Sequence, residues 1–212
     1  GMDSDARIAA LRQLSYLGHM AQWGCLPITP QRVELYRYAR DRYIDAEELA
    51  HGDGWRRLAI DWRSNRYFAN LHLQPGTAPM VLIVHGIDGC KEEHLSTELA
   101  LHRAGYATMC VDGPGQGEAL LLDGLLWSAD FHLFLSAAID AAGAVPGVDA
   151  SQTGLLGISI GAMWCYQAAA HDDRVKAIFD LGAPLHSRKF PSLPFLIKTR
   201  LCQVTGARSD AD

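Results

Sequence analysis

The spacing of apolar residues changes twice along the chain and divides it into stretches of different structure. Over residues 5–51 the apolar positions recur at helical spacing, and Thr29 followed by Pro30 is typical of a helix start. The period then falls to two, and two alternating runs separated by Ser64 and Asn65 predict an antiparallel hairpin. The sequence therefore predicts helices first and a pair of antiparallel strands after them.

Beyond the hairpin, short runs of apolar residues alternate with helical patterns. The runs are typical of strands buried on both faces, and they occupy residues 80–84, 106–111, 153–156 and 175–181. Helical patterns lie between them, at 93–104, from Phe131 to Ala142 and from Ile160 to His171. Strands that alternate with helices form a parallel sheet with right-handed crossovers, so we predict a mixed α/β sheet.

The composition is that of an ordinary globular chain, with 49% apolar and 20% charged residues. The formal net charge is −5, so no concentrated basic face and no nucleic-acid partner is predicted. No apolar run reaches the length of a membrane span and no signal-peptide pattern is visible, which predicts a cytoplasmic protein without a membrane partner. The 5 cysteines are widely spread and lack a C-x-x-C pair, so we expect reduced thiols, no metal and no cofactor.

The motif GISIG, at residues 157–161, lies between a predicted strand and a predicted helix. A serine on such a sharp turn has its hydroxyl lifted clear of the sheet, and Gly157 and Gly161 let the strand and the helix pack closely. We therefore predict that Ser159 is a nucleophile and that the backbone N–H of Ile160 forms part of an oxyanion hole. The alternative is that Ser159 is only a turn or cap hydroxyl.

A second glycine-containing loop, HGIDG, begins at His85 directly after the strand predicted at 80–84. An oxyanion hole needs two backbone N–H donors that converge on one oxygen, and this loop is expected to supply the second from Ile87 or Gly86. An ordinary strand-to-helix loop is the alternative. His85 lies on the loop itself, so a structural role is favoured over that of a catalytic base.

A third loop, DGPGQGE, follows the strand predicted at 106–111 and begins at Asp112. Open α/β sheets place their binding sites at this end of their strands. The loop lacks the full dinucleotide fingerprint, so no nucleotide cofactor is expected. Asp112 is predicted to fix the turn by binding backbone N–H groups, and a role as the acid of a catalytic triad is the less favoured alternative.

Together, the three loops resemble those of the α/β-hydrolase superfamily. The longer loop HGIDGCKEE, the DGPGQGE turn and the helical N-terminal segment resemble the branch of dihydropseudooxynicotine hydrolase, fungal pigment hydrolases that shorten polyketide chains, and relatives of the fermentation/respiration switch protein. The resemblance implies an α/β-hydrolase core over residues 55–184, behind a helical segment at 1–54, with 185–212 as the start of a cap or lid. It also implies a serine hydrolase that cleaves an ester, or a C–C bond next to a ketone, in a small-molecule carbonyl substrate.

The same resemblance implies an acidic side chain near the oxyanion loop that can face the substrate, which is Glu92 or Glu93 here. The helix dipole explains an acid at a helix N-terminus equally well. The resemblance further implies an Asp and a His on later loops, but only His171 and His186 follow the nucleophile. His171 is predicted about 16 Å from Ser159, at the far end of the same helix. His186 is nearer the right edge of the sheet but lies where a cap normally departs, and without a legible orienting acid it is the disfavoured candidate for the base.

We therefore expect the Asp, the His and the C-terminal strands to lie beyond residue 212, and this chain alone to have little or no turnover. A non-catalytic, hydrolase-like binding or regulatory protein is the alternative function. A cysteine nucleophile, as in dienelactone hydrolases, is disfavoured because the turn carries Ser159 and Cys165 falls inside the next helix. A sheet with an uncovered edge strand can pair with a strand of a second copy, so a homodimer is a further possibility.

Overall fold

The computed structural model describes residues 3–25, 28–184 and 192–208. Two long helices lead the chain, α1 (Ser4–Trp23) and α2 (Pro30–His51), and they pack against each other in opposite directions. The start of α2 is capped as the sequence predicts, because Thr29 Oγ1 accepts a hydrogen bond from Arg32 N at 3.2 Å. Since α2 also contacts the first strand, the helical pair is fixed to the sheet.

Six strands form one sheet. They are β1 (Trp55–Trp62), β2 (Asn65–His72), β3 (Ala78–Val84), β4 (Ala107–Asp112), β5 (Val148–Ile158) and β6 (Val175–Leu181). Their order across the sheet is β1-β2-β4-β3-β5-β6. The β1–β2 and β2–β4 pairs are antiparallel, whereas β3–β4, β3–β5 and β5–β6 are parallel. The predicted mixed sheet is confirmed.

The hairpin between β1 and β2 turns one residue earlier than the sequence predicts. Trp62 pairs with Asn65, so the two-residue turn consists of Arg63 and Ser64, whose φ angles are 49° and 64°. Positive φ at both central positions matches the right-handed twist of the flanking strands, which is why two-residue hairpins adopt this geometry.

Five more helices are found in the described part of the chain. They are α3 (Leu95–Arg103), α4 (Gly117–Leu121), α5 (Phe131–Gly143), α6 (Ile160–Ala169) and α7 (Phe195–Thr205). The helix predicted at 93–104 begins as a 3-10 turn over Lys91–His94, and α6 ends before the predicted His171. The sequence gives no sign of α4, because a short helix after a glycine-rich turn has no visible period.

The packing of α5 against α6 fixes the helix that follows the serine turn. Phe131 and Trp164 stack with ring centroids 3.7 Å apart and planes 7° from parallel, and Phe134 packs edge-on against Phe131. These rings join a core that includes the buried Met80 and Met109 of the central strands. The start of α6 is therefore held in place by the main core of the protein.

The last described helix, α7, lies over the loop that follows β3. Its Val204 packs in one apolar cluster with Ile87 and Leu120, and Val204 O accepts a hydrogen bond from Trp127 N at 2.8 Å. Arg200 donates to Trp23 O at 2.8 Å, which joins α7 to the end of α1. A helical segment thus covers the predicted oxyanion loop.

Strand β6 forms an open edge in the described part of the chain, where it pairs with β5 alone. Phe179 is 61% exposed and Leu181 is 56% exposed, so this edge presents apolar side chains to solvent. None of the described helices combines the length and the apolar character that a membrane crossing requires.

Candidate active site

Ser159 lies on a strained turn between β5 and α6, with its side chain exposed. Its φ is 53° and its ψ is −125°, a conformation that residues with a Cβ rarely adopt. The turn is tight on both sides. A Cβ at Gly157 would lie 2.2 Å from Ala162 Cα, and a Cβ at Gly161 would lie 2.2 Å from Val84 O. Both flanking positions therefore require glycine.

The loop after β3 meets this turn directly. A Cβ at Gly86 would lie 3.4 Å from Ser159 Cβ and 4.0 Å from its Oγ, and Ile87 packs in one cluster with Ile160. The structure thus brings together the serine and all the residues predicted to supply oxyanion N–H groups. The N-terminus of α6 lies at the same point, and its dipole favours negative charge there.

The position of this loop is set by polar side chains from the DGPGQGE turn. His85 is buried, and its Nε2 lies 2.8 Å from Asp112 Oδ1. Gln116 Nε2 donates to His85 O at 2.8 Å and to Gly86 O at 3.2 Å. Burial disfavours charged His85, but the hydrogen bond and the charge of Asp112 outweigh it and raise the pKa of His85. His85 therefore binds Asp112 in the interior.

Asp112 binds backbone N–H groups on both sides of its turn. Oδ1 accepts from Lys91 N and Oδ2 accepts from Glu118 N, each at 2.8 Å. Burial alone would raise the pKa of Asp112, but Lys91 and His85 hold it well below its usual range. Both oxygens of the Asp112 carboxylate thus have partners in the interior.

Lys91, a residue that the sequence analysis passes over, is the centre of a buried ionic network. Its Nζ lies 2.9 Å from Asp112 Oδ2, 2.8 Å from Glu92 Oε1 and 2.8 Å from Glu118 Oε2. The Tyr36 hydroxyl of α2 is 3.2 Å from the same nitrogen. No local motif marks this network, because its members come from α2 and from two separate loops.

The two acidic side chains expected near the substrate have different surroundings. Glu92 is buried against Lys91 and Tyr36, and burial raises the pKa of Glu92 to about 7. Glu93 is 19% exposed, and its Oε1 lies 3.8 Å from Nδ1 of His19 in α1. Burial raises the pKa of Glu93 to about 7 and lowers that of His19 to about 4. The structure thus places Glu92 inside the ionic network and leaves Glu93 closer to the surface.

Within the part of the chain that the structure describes, no side chain is hydrogen-bonded to Ser159 Oγ. His171 lies beyond the far end of α6, where its Nδ1 contacts Gln167 O at 2.7 Å. His186, the candidate base, lies outside the described residues. The described residues therefore contain the Ser159 turn and the loop that begins at His85, but no side chain placed to act as a base for Ser159.

Solved structures of known proteins have a fold similar to that of this chain. The crystal structure of 2,6-dihydroxy-pseudo-oxynicotine hydrolase matches 98% of this chain and 59% of its own, with a TM-score of 0.86 and 22% sequence identity. AbyA5 matches 86% of this chain and 52% of its own, with a TM-score of 0.75 and 22% identity. The fold is that of the α/β-hydrolases. A dienelactone hydrolase-like promiscuous phosphotriesterase shares it over 62% of this chain, with a TM-score of 0.53.

Curated hydrolases are also similar in sequence. The 2,6-dihydropseudooxynicotine hydrolase of Paenarthrobacter nicotinovorans is 28% identical over 152 residues, which are 72% of this chain and 39% of that protein. Hydrolase LUC6 of a Fusarium species is 34% identical over 120 residues, 54% of this chain and 28% of that protein. The chain thus spans less than half the length of these relatives. No family model matches it.

Proposed function

We propose that this chain carries the nucleophile and the oxyanion hole of a serine hydrolase with the α/β-hydrolase fold. The observation that carries the proposal is the φ of 53° at Ser159, on a turn that Gly157 and Gly161 make tight and that Gly86 adjoins. Strain of this kind persists where the surroundings enforce it, and it presents the hydroxyl to a bound substrate.

In the proposed reaction, Ser159 Oγ attacks a carbonyl carbon and forms a tetrahedral intermediate. The negative charge on the carbonyl oxygen is held by the N–H groups of Ile160 and of Ile87 or Gly86, together with the end of α6. Collapse expels the leaving group, which takes up the proton that a His base removed from Ser159, and water then hydrolyses the acyl-enzyme. The His that takes the Ser159 proton and its orienting Asp come from residues outside the described part.

We propose a small-molecule carbonyl substrate in which either an ester or a C–C bond next to a ketone is cleaved. In the second case Ser159 attacks one carbonyl, and the leaving group is a carbanion that a second carbonyl of the substrate stabilises as an enolate. The oxyanion hole holds the attacked oxygen in both reactions. The similarity to 2,6-dihydropseudooxynicotine hydrolase and to the fungal 20-hydroxy-prefusarin hydrolase supports a hydrolytic role.

Labelling with a fluorophosphonate probe tests the nucleophile, because the reaction requires an activated hydroxyl. The product of the full reading frame that contains this chain should be labelled once, at Ser159. The Ser159→Ala variant should lose both labelling and ester hydrolysis. Ser151→Ala is the matched control, since Ser151 is an exposed serine of the same strand, and it should keep both. Full hydrolysis by Ser159→Ala would contradict the proposal.

The alternative is a binding or regulatory protein that keeps the fold without turnover. The observation in its favour is the unpartnered Ser159 hydroxyl in the described part of the chain. Under this alternative, the complete protein would resist the probe and yet bind a carbonyl ligand at Ser159. For the serine hydrolase, we also propose a cytoplasmic location and a homodimer.

A further inference from the structure

Three side chains of the metal-ligand type meet beside the oxyanion loop, from separate segments of the chain. They are His19 of α1, Cys90 at the end of the loop and Glu93 of the following 3-10 turn. One ligand atom from each lies within 4.8 Å of the other two. These residues belong neither to the Ser159 turn nor to the network around Lys91.

His19 is the residue that points to a bound ligand. Its side chain is 1% exposed, and neither of its ring nitrogens has a hydrogen-bond partner in the described part of the chain. The Oε1 of Glu93 is also buried without a hydrogen-bond partner there. Buried polar atoms are almost always paired, and an exception calls for a donor or an ion between them. An imidazole nitrogen and a carboxylate oxygen that face each other are both satisfied by a cation.

We propose that His19, Cys90 and Glu93 form a binding site for Zn²⁺. A set of nitrogen, sulfur and oxygen ligands suits this ion, whereas a thiolate disfavours Mg²⁺ and Ca²⁺. The usual zinc–ligand bonds place tetrahedral ligand atoms roughly 3.3–3.8 Å apart. Ligand atoms that already lie within 4.8 Å reach this spacing by small side-chain rotations. Three protein ligands leave the fourth position to water.

Burial and the nearby carboxylates raise the pKa of the Cys90 thiol, so only a bound metal ion makes it a thiolate, and one neighbouring donor is placed to support that form. Gln22 Nε2 donates to Cys90 Sγ at 3.7 Å, and Gln22 Oε1 accepts from Arg32 Nε at 3.0 Å. Gln22 lies three residues after His19, so both side chains project from the same face of α1. An outer donor that is itself oriented by a hydrogen bond is a usual feature of metal sites.

Binding requires the thiol proton of Cys90 to leave for solvent, and no oxidation is involved. The ion joins α1 to the loop that contains Ile87, three residues before Cys90, and it gives Glu93 a role other than contact with substrate. Without metal, the Cys90 thiol keeps its proton, because burial raises its pKa. The two arrangements differ in whether Cys90 is a thiolate.

Cobalt substitution distinguishes the metal-bound from the metal-free arrangement, because a thiolate bound to Co²⁺ gives a charge-transfer band in the near ultraviolet. The protein is purified from zinc-supplemented culture for metal analysis, and a chelator-treated sample is then titrated with Co²⁺ alone. We expect one equivalent of bound zinc and one equivalent of cobalt with the thiolate band. Cys90→Ala should abolish the band, and Glu93→Gln and His19→Phe should weaken cobalt binding by about 100-fold or more.

Cys110→Ala is the matched control, since Cys110 is a buried thiol of β4 outside the cluster, and it should keep the metal and the band. His19→Phe keeps a ring of similar shape against Tyr36, which limits damage to the fold. Circular dichroism checks that each variant is folded. Zinc-free protein that also gives no cobalt band overturns the proposal, as does a band of full strength in folded Glu93→Gln.

Discussion

Lys91 is a fully buried ammonium group whose three nearest charged partners are all carboxylates. Removal of one partner from a buried ionic group costs more than the group contributes, because the remaining charges stay buried and unpaired. Glu118 keeps some compensation from Arg40 and Arg57, which bind its Oε1. Asp112 and Glu92 have fewer other cationic partners, so their uncompensated charges determine how much stability is lost when Lys91 is removed.

We expect Lys91→Met to lower the free energy of unfolding by about 3–5 kcal/mol, as measured by urea denaturation. Protonation of the stranded carboxylates should make the loss smaller in acid. Lys176→Met removes an exposed lysine of β6 and should change stability by less than about 0.5 kcal/mol. An equal effect of the two substitutions would show that the buried network does not stabilise the fold.

The contribution of His72 to stability depends on pH in the opposite direction from that of Lys91, because it is lost at high pH. Burial lowers the pKa of His72, but the hydrogen bond to Glu47 and the carboxylate of Glu98, whose Oε1 lies 3.5 Å from Nδ1, outweigh it and raise the pKa to about 9. A pKa raised by folding means that the folded state binds the proton more tightly. The stabilisation is therefore complete below about pH 6.5 and disappears as the pH rises through about 9.

The stability advantage of the wild type over His72→Gln should accordingly shrink between pH 6.5 and pH 9. Denaturant unfolding at a series of pH values measures it. His171→Gln replaces an exposed histidine and should leave the difference constant. A constant difference for His72→Gln as well would mean that folding does not raise the pKa of His72.

At the scale of an element, strand β5 has two glycines in different environments. A Cβ at Gly157 would overlap the backbone of α6, 2.2 Å from Ala162 Cα. A Cβ at Gly154 would lie 3.7 Å from Val81 Cγ2, which is an ordinary contact. The same strand thus contains one glycine that the turn requires and one that a larger residue can replace.

Gly157→Ala should lower the free energy of unfolding by about 1–3 kcal/mol and reduce labelling of Ser159. Gly154→Ala should be neutral or stabilising, because alanine is less costly than glycine within a strand. Thermal unfolding and probe labelling of both variants measure this contrast. Equal stability of the two variants would contradict the close packing of β5 against α6.

The elements that the sequence predicts best are those whose cause is local. The motif of the Ser159 turn consists of five consecutive residues, so it can be recognised directly in the sequence. Helix α4 escapes prediction because its start is held from outside, by Asp112 accepting a hydrogen bond from Glu118 N. The hairpin turn is displaced by one residue because register depends on pairing across strands and not on the turn residues alone.

The candidate site follows the same division. Ser159 and the loop residues Gly86 and Ile87 follow from motif and spacing, and the structure brings them together. The surroundings of Lys91 and of His19 do not, because each unites side chains that are dozens of residues apart. Their partners are chosen by the packing of α1 and α2 against the loops, which no single stretch of sequence encodes.

At the scale of the whole molecule, the edge of β6, which has no partner strand among the described residues, predicts self-association of this chain. A strand edge with exposed Phe179 and Leu181 is a template for pairing with a second copy. Sedimentation velocity over a range of concentrations should show oligomers that Phe179→Lys weakens. Leu133→Lys, which changes an exposed apolar residue of α5, should leave the distribution unchanged. A monomer at every concentration would refute the expectation.

Arg200 has a consequence for the exchange of parts between related proteins. Its guanidinium donates to Trp23 O and to Cys25 O, at 2.8 Å and 3.4 Å, and its Nε lies 3.7 Å from Asp88 Oδ2. One side chain near the end of the chain thus depends on a helix end near its beginning and on the loop between them. A chimera that imports a foreign α7 alone would break these contacts, whereas α7 transplanted together with α1, the residues up to Cys25 and the loop that contains Asp88 would keep them. The unit that must be exchanged as one piece is therefore discontinuous in sequence.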